Sequence, residues 1–110
     1  MKILNKSNKI EKQELYGMMS PKDSTNMRDL TGKELTIDKF VIFEDVDDFN
    51  TPKKILSVKT KEGVIVVSSS KSFVREFEKI ILIFGKIEII EVVSEFTNNG
   101  YEVISCEYVK

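Results

Sequence analysis

The sequence predicts a mainly β fold: a five-stranded OB-type Greek-key barrel with one helix between strands three and four, plus an N-terminal arm. Three observations carry this prediction. After residue 33 the chain reads as three strand-like stretches, one helix and two more strand-like stretches, which is the element order of that barrel. The first strand-like stretch is long, and its alternation slips once near Asp38-Lys39, as a bulge would make it do. The helix places Phe73, Phe77, Ile80, Ile81 and Phe84 at i, i+4, i+7, i+8 and i+11, one apolar face able to plug the open end of a barrel. A short mixed α+β sheet is the competing architecture.

Residues 1–24 read as a weakly structured arm and residues 25–110 as the barrel domain. In the arm Lys, Asn, Ser and Gln dominate. Ile10, Leu15, Tyr16, Met18 and Met19 lack a sustained period, beyond a short helix across Glu11–Met18. With no sustained apolar face, residues 1–17 are expected to be dispensable for folding. Ser24-Thr25-Asn26 offers a cap for a brief turn containing Met27, Asp29 and Leu30, which Thr31-Gly32 ends.

Strand one runs from Glu34 to Glu44. Leu35 and Ile37 alternate with Thr36 and Asp38, and then Phe40, Val41, Ile42 and Phe43 are all apolar. A bulge at Asp38-Lys39, keeping Phe40 and Ile42 in phase with Leu35 and Ile37 and turning Val41 and Phe43 outward, explains the slip, and so does a segment buried on both faces. The stretch from Asp45 to Lys53 is an acidic, Pro-containing loop. Strands two and three, Lys54–Thr60 and Val64–Ser69, are joined by the tight turn Lys61-Glu62-Gly63. The helix follows, with Ser70 or Ser72 placed to cap its first turn and Gly85 to close its last. Strands four and five, Lys86–Phe96 and Tyr101–Val109, flank Thr97-Asn98-Asn99-Gly100, a turn in which Asn-Gly can take positive φ.

At 110 residues the chain makes one domain. Apolar content of 41% is that of a globular protein. No run of 18 apolar residues spans a membrane, and the basic start lacks the continuous apolar stretch of a secretion signal. One cysteine, Cys106, and no histidine leave the usual zinc spacings unavailable. They fit a reducing, cytoplasmic setting. The net charge of −1 excludes a uniformly basic surface, but the charge is uneven. Residues 1–33 hold seven Lys/Arg against four Asp/Glu, and residues 34–110 hold ten against fourteen. The arm is therefore either a solvated tail or a basic segment that reaches a polyanion.

Catalytic signatures are missing. There is no His base, no Gly-x-Ser-x-Gly elbow, no phosphate-cradling glycine loop and no His-Glu-x-x-His. Glu44, Asp45, Asp47 and Asp48 do not have the spacing of an EF-hand loop and read as a solvated acidic loop. Cys106, in a strand pattern, reads as a core or half-buried thiol. The chain is expected to be no enzyme and to need no cofactor or metal. Binding remains, and binding to single strands combines stacking aromatics with cations along the backbone. Phe73, Phe77 and Phe84 go to the core. Phe40, Phe43, Phe49, Phe96, Tyr16, Tyr101 and Tyr108 are left. Lys39, Lys54, Lys59 and Lys61 lie on strands one and two or their turn, on or beside the surface by which OB barrels hold oligonucleotides.

The stretch Thr31-Gly32-Lys33-Glu34-Leu35-Thr36-Ile37-Asp38-Lys39-Phe40-Val41-Ile42-Phe43-Glu44-Asp45 resembles the first-strand segment of small single-stranded DNA-binding proteins of phages and mobile elements of Gram-positive bacteria. Ser70-Lys71-Ser72-Phe73-Val74-Arg75-Glu76-Phe77 with Phe84-Gly85 resembles their strand-to-helix segment, and Gly100-Tyr101-Glu102-Val103-Ile104-Ser105-Cys106 their last strand. The resemblance covers roughly residues 18–110. It implies an OB fold that binds single-stranded DNA in replication or recombination. Cellular single-strand binders usually end in an acidic tail that recruits partners, and Glu107-Tyr108-Val109-Lys110 departs from that pattern.

The expected DNA-binding set is Lys39, Phe43, Lys54, Lys59, Lys61 and Tyr101, with Phe43 stacking on a base and the lysines on phosphate. Single-stranded DNA is the expected partner. Replication or recombination proteins and further copies of the chain are also candidates. In the alternative reading the barrel is a protein-interaction module that uses a strand edge or Met18, Met19 and Met27.

Overall fold

The computed structural model describes residues 1–110. Seven strands form one sheet. They are β1 (Lys2–Lys6), β2 (Thr25–Asn26), β3 (Glu34–Val46), β4 (Pro52–Thr60), β5 (Ile65–Ser68), β6 (Ile89–Phe96) and β7 (Glu102–Tyr108). Helix α1 (Lys12–Met19) lies between β1 and β2, a 3₁₀ turn (Met27–Leu30) follows β2, and helix α2 (Lys71–Phe84) lies between β5 and β6. Strand order is β2-β5-β4-β3-β6-β7, with β1 also on β3.

The sheet curls because β3 serves two neighbours. Its first residues, Glu34–Thr36, pair with β6, and from Ile37 onward it pairs with β4. The register slips between Ile37 and Lys39, so Asp38 is the extra residue of a bulge. Side chains on one face alternate two by two, so a single extra residue resets the phase. Leu35 and Ile37 before the bulge, and Ile42 and the partly buried Phe40 after it, all face one core. There they meet Leu56 and Val58 of β4, Val66 of β5, Ile90 and Val92 of β6, and Ile104 and Cys106 of β7.

Helix α2 fills the concave side of this sheet. Phe73, Val74, Phe77 and Ile80 are buried, and the Phe77 ring meets Phe40 edge to face at 5.3 Å. Gly85 closes the helix at φ 80°, donating to the Ile81 carbonyl. Two expectations are corrected here. Neither Ser70 nor Ser72 caps the first turn. The Ser72 hydroxyl instead donates to the Ile104 carbonyl at 2.6 Å, fastening the helix start to β7. Phe84 is half exposed and stacks on Tyr108 at 3.8 Å, outside the core.

The N-terminal segment differs most from the sequence reading. The expected count of five strands becomes seven because β1 and β2 join the sheet. β1 runs antiparallel along β3 from Val41 to Glu44, and β2 runs parallel to β5 at Val66 and Val67. The short helix expected near Glu11–Met18 exists as α1 and docks on the convex face of the sheet. Met18 is buried there against Val41 and Phe43 in a second, smaller cluster that also touches Leu15, Met19, Ile55 and Ile65. With Met18 and Met27 buried and Met19 half-buried, these methionines form no exposed docking patch. β2 lies on the outer edge of β5 and does not pair with β7, so the sheet stays open between β2 and β7. No helix is long and apolar enough to cross a membrane.

Candidate nucleic-acid interface

The residues expected to bind DNA form no single exposed site: Lys39, Lys59 and Phe43 share the face under α1, and Lys54, Lys61 and Tyr101 lie apart from them. Phe43 faces outward from the main core, as the bulge requires, but α1 covers it and leaves it 2% exposed. The expectation of a free stacking aromatic at Phe43 is therefore corrected. Sequence parity tells which side of the sheet a residue takes, whereas a distant helix decides whether that side meets water.

Lys39 and Lys59, cross-strand partners on the same face, both bind Glu14 of α1. The Lys39 ammonium donates to Glu14 Oε1 at 2.5 Å and the Lys59 ammonium to Oε2 at 2.8 Å. Those hydrogen bonds, Lys39 first, hold the Glu14 carboxyl below its ordinary range, and the bond to Glu14 raises Lys39 above the usual lysine value. Under the same helix Ser57 is fully buried, and its hydroxyl finds no partner. A buried hydroxyl left unsatisfied costs about 1–3 kcal/mol. Lys61 sits in the β4–β5 turn, 3.7 Å from Asp38. Lys54 lies at the start of β4 and binds Glu78 of α2 at 3.1 Å. Tyr101 is 71% exposed at the β6–β7 turn.

Around Lys54 the structure builds a different site. A cleft of about 550 Å³ opens where β4 leaves the acidic loop and α2 begins. Its cations are Lys53, Lys54, Lys71 and Arg75, and its acids Glu44, Asp47 and Glu78. A second hollow of about 350 Å³ shares Lys53 and Ser69 with the cleft and adds Arg28, Asn26, Ile55, Val67, Ser70 and Ile104. The two form one continuous polar track that passes the gap between β2 and β7.

Charge along this track is uneven in a useful way. The ion pairs of the chain use Lys54, but Arg28, Lys53, Lys71 and Arg75 take part in none. All four are exposed. Local structure explains their placing. Asn26 accepts from the Arg28 N–H at 3.1 Å and starts the 3₁₀ turn, which sets Arg28 beside β5. Lys71 is the first residue of α2, whose opening turn has no side-chain cap. The unused N–H groups of a helix start favour an anion nearby.

Aromatics stand at both ends of the track. Asp47 and Thr51 line the cleft, and Phe49 sits between them, 89% exposed. The loop is held in shape by Asp47, whose carboxylate accepts from the N–H groups of Phe49 and Thr51, both at 2.9 Å. At the other end Tyr101 is three residues along the chain from Ile104, about 10 Å of extended strand. Phe96, 73% exposed, ends the partner strand β6.

Sequence reasoning passed over Arg28, Lys53, Lys71 and Arg75, and it left Phe49 among the unassigned aromatics. Phe49 had a legible signal, an aromatic inside a strongly polar loop. The four cations had none, because three separate stretches of chain bring them together. No family model, curated protein or solved structure matches this chain.

Proposed function

We propose that the protein binds single-stranded DNA without catalysis, in replication or recombination, through an OB-type barrel left open between β2 and β7. In this reading β3, β4, β5, β6 and β7 are the five barrel strands and α2 is the helix between the third and fourth. The element order, the bulge in β3 and the division of β3 between β4 and β6 support it. OB barrels hold oligonucleotides on the face of strands two and three and with the loops after strands one and four. Here those loops are the ones that carry Phe49 and Tyr101.

The observation that carries the function is the set of four unpaired cations, Arg28, Lys53, Lys71 and Arg75, along one track in a chain of net charge −1. Cations following a backbone between aromatic platforms are the pattern of single-strand binding. The site moves from Phe43, where the sequence placed it, to the track ending at Phe49. Lys54 and Tyr101 stay in it.

Fluorescence anisotropy with labelled oligo-dT, duplex DNA and RNA tests this. Oligo-dT is expected to bind more tightly than duplex. Four phosphate contacts give a log–log salt slope of about −3, at about 0.7 per contact. Phe49→Ala weakens binding about 5- to 150-fold, the equivalent of about 1–3 kcal/mol of stacking, with thermal stability unchanged. If alanine at Lys53, Lys71 and Arg75 together leaves affinity and slope as they were, the track is not the site.

One observation favours a second reading. Leu82 and Ile83 on α2 are 84% and 64% exposed, next to the half-exposed Phe84–Tyr108 stack. An apolar surface of this kind suits a protein partner. An absence of oligo-dT binding at low salt would make that reading the better one.

A further inference from the structure

We propose that α1 is an internal competitor for the nucleic-acid site, its Glu14 carboxylate occupying the place of a backbone phosphate between Lys39 and Lys59. The proposal rests on the single-strand-binding reading given above and concerns how that site is regulated.

Four observations converge on it. Glu14 is the one acid that reaches both lysines, with one oxygen on each, as two oxygens of a phosphodiester would sit. The covered face continues the open track: Ile55 lines the Arg28–Lys53 hollow and also packs against the Met18–Val41–Phe43 cluster. Covering this face leaves the Ser57 hydroxyl buried and unpartnered, so α1 does not satisfy the surface it occupies. And α1 is lightly held. It has eight residues, one of them Gly17, no side-chain cap, and a single fully buried residue, Met18.

Displacement of α1 would present Phe43 to a base, Lys39 and Lys59 to phosphate and Ser57 as a donor, lengthening the track along the convex face. β1 stays paired to β3 and keeps the displaced helix tethered. A ligand that binds only the uncovered form is weakened by the fraction of molecules in that form, and anything that loosens the cover tightens binding.

The test compares the full chain with Glu14→Gln, titrating labelled oligo-dT over a series of salt concentrations. Glu14→Gln is expected to bind several-fold more tightly, with a salt slope steeper by about 1.4, about 0.7 for each lysine released. Adding Lys39→Ala and Lys59→Ala to Glu14→Gln should remove that gain. Hydrogen exchange on the unmodified chain supplies a readout without substitution: amides of residues 12–19 should lose protection when oligo-dT saturates the protein. If the unmodified chain binds oligo-dT but Glu14→Gln binds no better, or residues 12–19 keep their protection, α1 is a fixed part of the fold and the competitor is refuted while the binding function stands. If neither form binds oligo-dT, the function fails and the competitor falls with it.

Discussion

Phe77 and Phe43 show how far a single side chain's role depends on its surroundings. Phe77 is completely buried in the main core and meets Phe40 edge to face. Phe43 is almost as buried, but in the small cluster under α1. Truncating a buried aromatic loses its transfer free energy and leaves a cavity, together about 3–5 kcal/mol. Phe77→Ala is therefore expected to lower urea-melt stability by about that amount. Phe43→Ala should cost less, because α1 can settle into the space. Leu82→Ala, at a position 84% exposed, should stay within about 0.5 kcal/mol of the unaltered chain. Cys106 offers a pH test. Burial first, then Glu76 and Glu95, push its thiol up from 9.0 to about 12. The folded form holds the proton more tightly than the unfolded form, so stability is complete below pH 9.0 and falls as pH rises toward 12. Melts of Cys106→Ala across that range should show a shallower decline than melts of the unaltered chain.

Among the elements, β3 organises the rest, and Asp38 organises β3. Leu35 and Ile37 lie before it, Phe40 and Ile42 after it, and the one extra residue lets both pairs face the same core. Inserting one alanine between Lys39 and Phe40 would shift the phase once more and turn Phe40 and Ile42 to the convex face while Val41 and Phe43 turned inward. The expected result is loss of cooperative unfolding, read by circular dichroism during a thermal melt. A normal melt would mean that the β3–β4 register can slide to absorb the insertion. Helix α2 is simpler. Its amphipathic spacing and the left-handed closure at Gly85 are local properties, and both appear where the spacing puts them. Its capping is not local, because β7 offers the Ser72 hydroxyl a better partner than the helix's own N–H groups do.

At the scale of the whole molecule there are two packed regions of unequal size. The main core joins fifteen buried residues from the 3₁₀ turn, five strands and α2, and the second cluster joins three beneath α1. Protection against local opening follows the apolar area buried, so α1 should open well before α2. Electrostatics give this a pH window. Glu14 is lowered from 4.5, so its contribution is present above that pH and is lost as pH falls through its folded value. Lys39 is raised from 10.5, so its contribution is present below that pH and is lost as pH rises through its folded value. Amides of residues 12–19 should therefore lose hydrogen-exchange protection on acidification below 4.5 while those of residues 73–80 keep theirs. Simultaneous loss in both helices would show one cooperative unit. The same inequality alters the expectation for residues 1–17. Their removal should spare the main core but uncover Val41 and Phe43, and so lower stability.

What the sequence determined by itself is the part governed by periodicity and local backbone chemistry. This covers strand alternation, the slip at Asp38, the apolar face of α2, the turns at Gly63 and Gly100, and the side of β3 that each apolar residue takes. These are set by a residue and its near neighbours in the chain. Tertiary structure alone decided which part of the convex face is covered. Leu15, Met18 and Met19 show too weak a period to announce a docking helix, yet they cover Val41 and Phe43. Glu14, 25 residues before Lys39 and 45 before Lys59, binds both. The candidate track has the same origin. Arg28, Lys53, Lys71 and Arg75 have no shared pattern in the chain, because charges act through space and only the folded sheet brings them within reach of one ligand.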